Sequence, residues 1–220
     1  MWDKLKRFWH APLLNKAHML STFYYKLKGI IVYRSAFKEF GKGSYIRKPL
    51  VILNPSYISI GDRVSVRDGI RLEVVLSNDE MVPCLSVGDN TNIEQNVHIV
   101  CHSCIRIGRN VSITGHCAIV DVTHPFDDVH DARKIGARIK DEQSFVEIGD
   151  GTFIGYGTVI LPNVRIGTYV VIGANSVVAN DIPDYSVAAG VPAVVVKQYD
   201  QERKKWLRAA TQRVLRARES

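Results

Sequence analysis

The stretch that decides the fold is VEIGDGTFIGYGTVILPNVRIGTYVVIGANSVVANDIPDYSVAAGVPAVVV, residues 146–196. In it Ile148, Ile154, Ile160, Ile166, Ile172 and Val178 follow one another every six positions without a slip. Upstream the same spacing returns in Val87, Ile93 and Ile99, in Ile107, Ile113 and Ile119, and in the shorter series Ile60, Val66 and Leu72. Glycine follows the aliphatic residue at Gly61, Gly88, Gly108, Gly149, Gly155, Gly167 and Gly173. A period of six is neither the 3.6 of an amphipathic helix nor the simple alternation of a half-buried strand. It fits a chain that lays down a short strand, turns a corner and repeats, so that three edges close one coil of 18 residues. Ile148 should then stack on Ile166 and Ile154 on Ile172. The residue four after each aliphatic is small or branched (Thr91, Val97, Val111, Thr152, Thr158, Val164, Val170, Ser176), as a second inward position requires.

On these residues the chain resembles the hexapeptide-repeat acyltransferases over roughly residues 58–197, and IPDYSVAAGVPA looks like that family's ending. The resemblance implies an all-β fold, a left-handed parallel β-helix, a rare exception to right-handed crossover. It is expected to carry N-terminal and C-terminal α-helices. The expected organisation is a basic amphipathic helical segment over 1–48, the β-helix over 49–197 with an inserted loop over 121–145, and a basic helix over 198–220.

The repeat breaks between Ile119 and Ile148, where the chain reads DVTHPFDDVHDARKIGARIKDEQSFVE. This polar segment with Pro125 is a loop, and a long loop inside a regular solenoid is usually functional. His124 begins it. Galactoside and maltose acetyltransferases carry a catalytic His-Pro at the same place, 17 residues after an Ile-Gly, as Ile107 and His124 are here. The resemblance makes His124 the general base, an imidazole able to take a proton near neutral pH. Asp121 is expected either to orient that imidazole or to cap the start of the loop. His130, Asp127, Asp128 and Arg133 are further loop residues that could meet an acceptor.

By the same resemblance the donor is acetyl-CoA, held in a groove between neighbouring prisms of a homotrimer, against the backbone near Gly155, Gly173 and Ala174. Its phosphates would meet Lys197, with Arg203 or Lys204 as further candidates, because Asn180 and Val194 replace basic residues of the family pattern. Phe153 stands for a usual tryptophan beside the cleft and Tyr156 for a small residue. Glu94 and His102 stand where galactoside acetyltransferases place an Asn and an Asp for the acceptor, so a different sugar or glycan acceptor is expected. Asn92 and Asn96 could contact it or could form an asparagine ladder. The reading is O-acetylation of a sugar hydroxyl in surface-polysaccharide or lipid-linked glycan assembly. N-acetylation of an amino sugar stands as the alternative.

No bound metal is expected. A γ-carbonic-anhydrase-like site would need three histidines; His98 and His116 fall near two of the positions, but Asp121 stands at the third. A non-catalytic β-helix scaffold is the remaining class. The four cysteines, Cys84, Cys101, Cys104 and Cys117, include one C-x-x-C pair without a second, so free thiols are expected rather than a zinc ribbon.

Charge is unevenly spread. Residues 1–48 hold 11 Lys/Arg and 2 Asp/Glu, residues 49–196 hold 10 and 17, and residues 197–220 hold 8 and 3. An acidic middle between basic ends gives no basic groove, and nucleic acid is not an expected partner. No run of 18 apolar residues could span a bilayer, and no secretory signal follows the basic start, so a cytoplasmic location is expected. Leu13, Ala17, Leu20, Tyr24, Leu27 and Ile31 recur three or four apart, an amphipathic helix among lysines. It should pack on the prism or a neighbouring subunit, or else lie peripherally on the inner face of an anionic membrane.

Overall fold

The computed structural model describes residues 2–77, 82–140 and 142–209. Three parallel sheets form the faces of a prism, a left-handed parallel β-helix. The first face runs through Glu39–Phe40, Ile58–Ile60, Cys84–Val87, Cys104–Ile107, Phe145–Ile148 and Val164–Ile166. The second begins Tyr45–Ile46, Ser65–Val66, Asn92–Ile93, Ser112–Ile113, Phe153–Ile154 and Val171–Ile172. The third holds Val51–Leu53, Arg71–Val74, His98–Cys101, Ala118–Val120, Val159–Ile160 and Val177–Val178.

The period-six residues are the core. Ile148 is in register with Ile166 and Ile154 with Ile172, and Ile93, Ile99, Ile113, Ile119, Ile154 and Ile160 are fully buried. The second inward positions are buried as well, from Thr91 and Val97 to Val170 and Ser176. Their hydroxyls satisfy corner carbonyls: Thr91 donates to Gly108 at 2.9 Å and Thr152 to Gly167 at 2.9 Å. The repeated glycine is dictated by the stacking. A Cβ on Gly149 would lie 2.5 Å from the carbonyl carbon of Gly167, and one on Gly88 2.7 Å from that of Gly108. The opposite corners turn through the left-handed region, which asparagine tolerates, at Asn90, Asn96, Asn110, Asn163 and Asn175. Asn90 donates to Asn110 at 2.7 Å, a rung of the ladder.

The prism begins earlier than the repeat suggests. Phe40, Ile46 and Ile52 form a first coil of the same spacing, in register with Ile60, Val66 and Leu72. An aromatic in the first slot hides it. Tyr33, Phe37 and Phe40 then close this end, their ring centroids each 5.4 Å apart.

Helix α1 (Trp2–His10) and helix α2 (Leu13–Lys28) precede the prism, and α2 continues as a π-helical turn through Gly29–Tyr33. The face packed on the first coil carries Tyr25, Gly29 and Tyr33. It is not the Leu13–Leu20–Tyr24–Leu27–Ile31 stripe, which is exposed.

The C-terminal expectation needs correction. Residues 198–208 are not helical. Ser186–Gly190 joins the second face, and Ala193–Asp200 and Lys205–Arg208 follow as antiparallel strands. Cross-strand pairing overrides the helical spacing: Trp206 meets Tyr199 edge-on at 5.5 Å, and Leu207 pairs with Gln198. The rest of the expected helix, 210–220, lies outside the described residues. All four cysteines are free thiols; Cys101 and Cys117 are buried, Cys84 and Cys104 half-buried.

Candidate active site

Ile107 pairs with Ile148 in the same register that joins neighbouring coils elsewhere. The inserted loop is therefore expelled whole from the third face, at the end of the strand Ala118–Val120.

Asp121 sits at that exit and is fully buried. Its Oδ1 accepts the amide of His102 at 2.5 Å; Oδ2 accepts those of Ser103 at 2.9 Å and Cys104 at 2.7 Å. Ser144, where the loop returns, donates its hydroxyl to the Asp121 carbonyl at 2.6 Å. Of the two roles read from the sequence, the cap is the one the geometry carries. The carboxylate is taken up by three backbone amides and the Cys101 thiol, 3.8 Å from Oδ2, and no hydrogen bond joins it to His124 among the described residues.

His124 is exposed, and its Nδ1 lies 2.9 Å from the carbonyl oxygen of Arg138. A carbonyl can only accept, so Nδ1 carries the proton and Nε2 is left with its lone pair. Sequence reasoning missed Arg138, which organises the loop. Only 8% exposed, its guanidinium donates to the carbonyls of Asp128 at 2.9 Å, Asp131 at 2.6 Å and Arg133 at 2.9 Å. Arg133 itself pairs with Asp131 at 2.8 Å. That hydrogen bond, with the backbone amide of Arg133, pulls the Asp131 carboxyl down to about 2. The arginine inside the loop thus fixes the carbonyl that orients the imidazole outside it.

His124 borders a cavity of about 450 Å³ on the third face. Outward residues of adjacent coils line it: Arg71, Glu73, His98, Val100 and Val120, roofed by Gly136 and Ile139 of the loop. Arg71 and Glu73 form an ion pair at one wall. Burial, then the Arg71 charge, lowers the pKa of His98, with Glu73 opposing. One apolar wall and one polar wall beside an imidazole are the makings of a small polar ligand's site. No sequence signal marked Arg71 or Glu73, because outward residues obey no repeat.

The other expected residues lie apart from this cavity. Glu94 is on the second-face side, paired with Arg67 at 3.6 Å. His102 is 2% exposed and its Nε2 is 2.7 Å from the Ser77 hydroxyl. Phe153 projects from the second face, 44% exposed. Gly155 packs its backbone on residues 172–174, where a Cβ would lie 2.5 Å from the Ala174 nitrogen; Gly173 packs in the same way on Ala189. Lys197 is exposed and cross-strand from Arg208, which places two cations side by side. Arg203 is engaged with Asp200, 3.8 Å away. The two histidines of the zinc alternative are separated. His98 lines the cavity, whereas His116 stands at a corner beside Asn96 and Tyr156. Among the described residues no group of three His, Cys, Asp or Glu side chains could hold a metal.

Residues 145–180 match the bacterial transferase hexapeptide (six repeats) family model. The chain is 33% identical over 168 residues to the "Putative lipopolysaccharide biosynthesis O-acetyl transferase WbbJ" of Escherichia coli K12, covering 74% of this chain and 83% of that one. The chain belongs to the hexapeptide-repeat acyltransferases. It is also 37% identical over 121 residues to the galactoside O-acetyltransferase of E. coli, 54% of this chain and 57% of that enzyme. Among solved structures it resembles AntD, an N-acyltransferase from Bacillus cereus determined with dTDP and 3-hydroxybutyryl-CoA. The TM-score is 0.63 and the identity 21%, over 85% of this chain and 94% of that one; this likeness speaks to the fold.

Proposed function

We propose that this acyltransferase is an acetyl-CoA-dependent O-acetyltransferase acting on a sugar hydroxyl of a surface polysaccharide or lipid-linked glycan precursor. The observation that carries the reading is the His124 imidazole, turned by the Arg138 carbonyl so that Nε2 faces away from it, at the edge of a cavity of about 450 Å³. The relatives named for O-acetyl transfer favour oxygen over nitrogen as the attacking atom.

In this reading the acceptor hydroxyl hydrogen-bonds to His124 Nε2. As its oxygen attacks the thioester carbonyl carbon, Nε2 takes the proton. The new C–O bond forms, the C–S bond breaks, and the imidazolium returns the proton to the departing sulfur. The Arg138 carbonyl holds the ring through both proton transfers. Arg71 and Glu73 offer donor and acceptor groups to the remaining sugar hydroxyls. On the donor side, the exposed corner at Ala174, beside Gly155 and Gly173, is where the pantetheine arm would run, and the paired Lys197 and Arg208 suit its phosphates. A homotrimer would complete that groove with the face of a second prism.

The test is mass spectrometry after incubation of the protein and acetyl-CoA with lipid-linked and nucleotide-linked sugars. A gain of one acetyl group at a hydroxyl, lost with His124→Ala, supports the reading. Acetylation confined to amino sugars would replace oxygen by nitrogen, and calorimetry showing no binding of CoA would leave only a scaffold.

A further inference from the structure

We infer that the N-terminal helices are a docking surface for an anionic lipid bilayer. The periodicity of α2 offers two faces, and the structure uses the less apolar one for packing. Tyr25, Gly29 and Tyr33, four residues apart, seat the helix on the first coil. Arg47 lies over the Tyr25 ring at 5.5 Å and Lys26 over Tyr45 at 5.8 Å, which fixes the helix to the strand Tyr45–Ile46 and its flank.

The opposite face is the apolar one, and it faces outward. Leu13 is 81% exposed, Leu20 58%, Phe23 67%, Tyr24 59%, Leu27 44% and Ile31 66%. At 3.6 residues per turn these side chains form one continuous stripe. Lys26 and Lys28 flank it on either side, their ammonium groups on the prism side over the Tyr45 ring at 5.8 Å and the Tyr33 ring at 5.2 Å, the level at which lipid phosphates would lie. Helix α1 adds Trp2 and Trp9, 77% and 70% exposed, and is held to α2 by Lys16, 6.0 Å from the Phe8 and Trp9 rings.

The chemistry of the stripe selects its occupant. A convex apolar ridge with tryptophan and tyrosine among lysines matches the headgroup boundary of a bilayer, which takes aliphatic side chains below and cations above. Residues 1–48 carry 11 Lys/Arg against 2 Asp/Glu, so the whole end of the molecule is attracted to anionic lipid. No helix among the described residues is long and apolar enough to cross a membrane, so the contact is peripheral. The helices sit on the first coil, and the strand leading to His124 lies in the fourth. At the spacing of parallel strands, the cavity is then roughly 14 Å along the prism axis from the docking end. That is within reach of a glycan carried on a lipid.

The test is flotation of the full-length protein with phosphatidylcholine vesicles, with and without phosphatidylglycerol. The comparison is a triple variant, Leu20→Glu, Phe23→Glu and Leu27→Glu, at exposed positions outside the active site. The expected result is salt-sensitive binding to the anionic vesicles, at least tenfold weaker in the variant. The variant's circular dichroism and its mass by light scattering should be unchanged. Failure of the unaltered protein to float with anionic vesicles overturns the inference, as does equal flotation of the variant. A variant of altered subunit number also overturns it, because the stripe is then a seam between copies of this chain.

Discussion

The Nδ1 of His124 and the carbonyl oxygen of Arg138 are 2.9 Å apart, and fourteen positions of loop close upon themselves between them. One contact therefore sets two things, the tautomer of the imidazole and the direction of Nε2. His124→Ala should lower acetyl transfer about 10²–10⁴-fold, the usual contribution of a positioned base, with folding intact. Steady-state rates beside a thermal melt check this, and a near-normal rate in the variant would remove His124 from the reaction.

In the proposed mechanism Arg138 is a positioning residue. Arg138→Ala removes the donors to the carbonyls of Asp128, Asp131 and Arg133, and the loop no longer presents the orienting carbonyl. A loss of about 10²-fold in kcat is expected, since small misplacements of a reacting group have that effect. Faster proteolytic cleavage within residues 126–137 should accompany it, while the melting of the prism stays put.

Asp121→Asn separates capping from catalysis. The buried carboxylate accepts three amides, and an Asn side chain has one oxygen to replace two. A stability loss of about 1–3 kcal/mol is expected from the amides left unsatisfied. Enzyme that remains folded should keep the pH–rate profile of the parent. A profile that collapses without loss of stability would return Asp121 to an imidazole-orienting role.

His98 lines the same cavity with its pKa lowered from 6.5, by burial first and Arg71 second. Its proton is therefore bound more weakly folded than unfolded. As pH falls from 6.5 through the lowered value, the unfolded chain takes up the proton first, and the fold loses stability across that window. Nuclear magnetic resonance should place the His98 midpoint below 6.5, and Arg71→Ala should move it upward. An unshifted midpoint would contradict the half-buried, cation-flanked setting.

The prism was legible because stacking punishes any error inside it. Ile148, Ile154 and Ile160 must be bulky and Gly149 must be bare, so the spacing survives in the letters. The first coil escaped notice because Phe40 fills its opening slot and because longer connections before Ile60 and Val87 put the early coils out of phase. Outward residues have no such constraint, which is why Arg71 and Glu73 carried no signal. His124 stood out by its distance from Ile107. Arg138 did not, since an arginine in a polar loop reads as solvated until the fold shows three carbonyls converging on it. The C-terminal strand Lys205–Arg208 had the spacing of a helix, and only a partner strand decides such a case.

That strand bears on how the end of the prism meets other chains. A stack of parallel rungs is an open template, and a second molecule arriving at its end could in principle continue it as a growing fibre. Here the second sheet, after Ser186–Gly190, reverses direction in Ala193–Asp200 and again in Lys205–Arg208. An arriving rung of the original sense meets backbone running the wrong way, and cationic Lys197, Lys205 and Arg208 repel another copy of themselves. Reversal of the chain thus closes the second face to further rungs of the original sense.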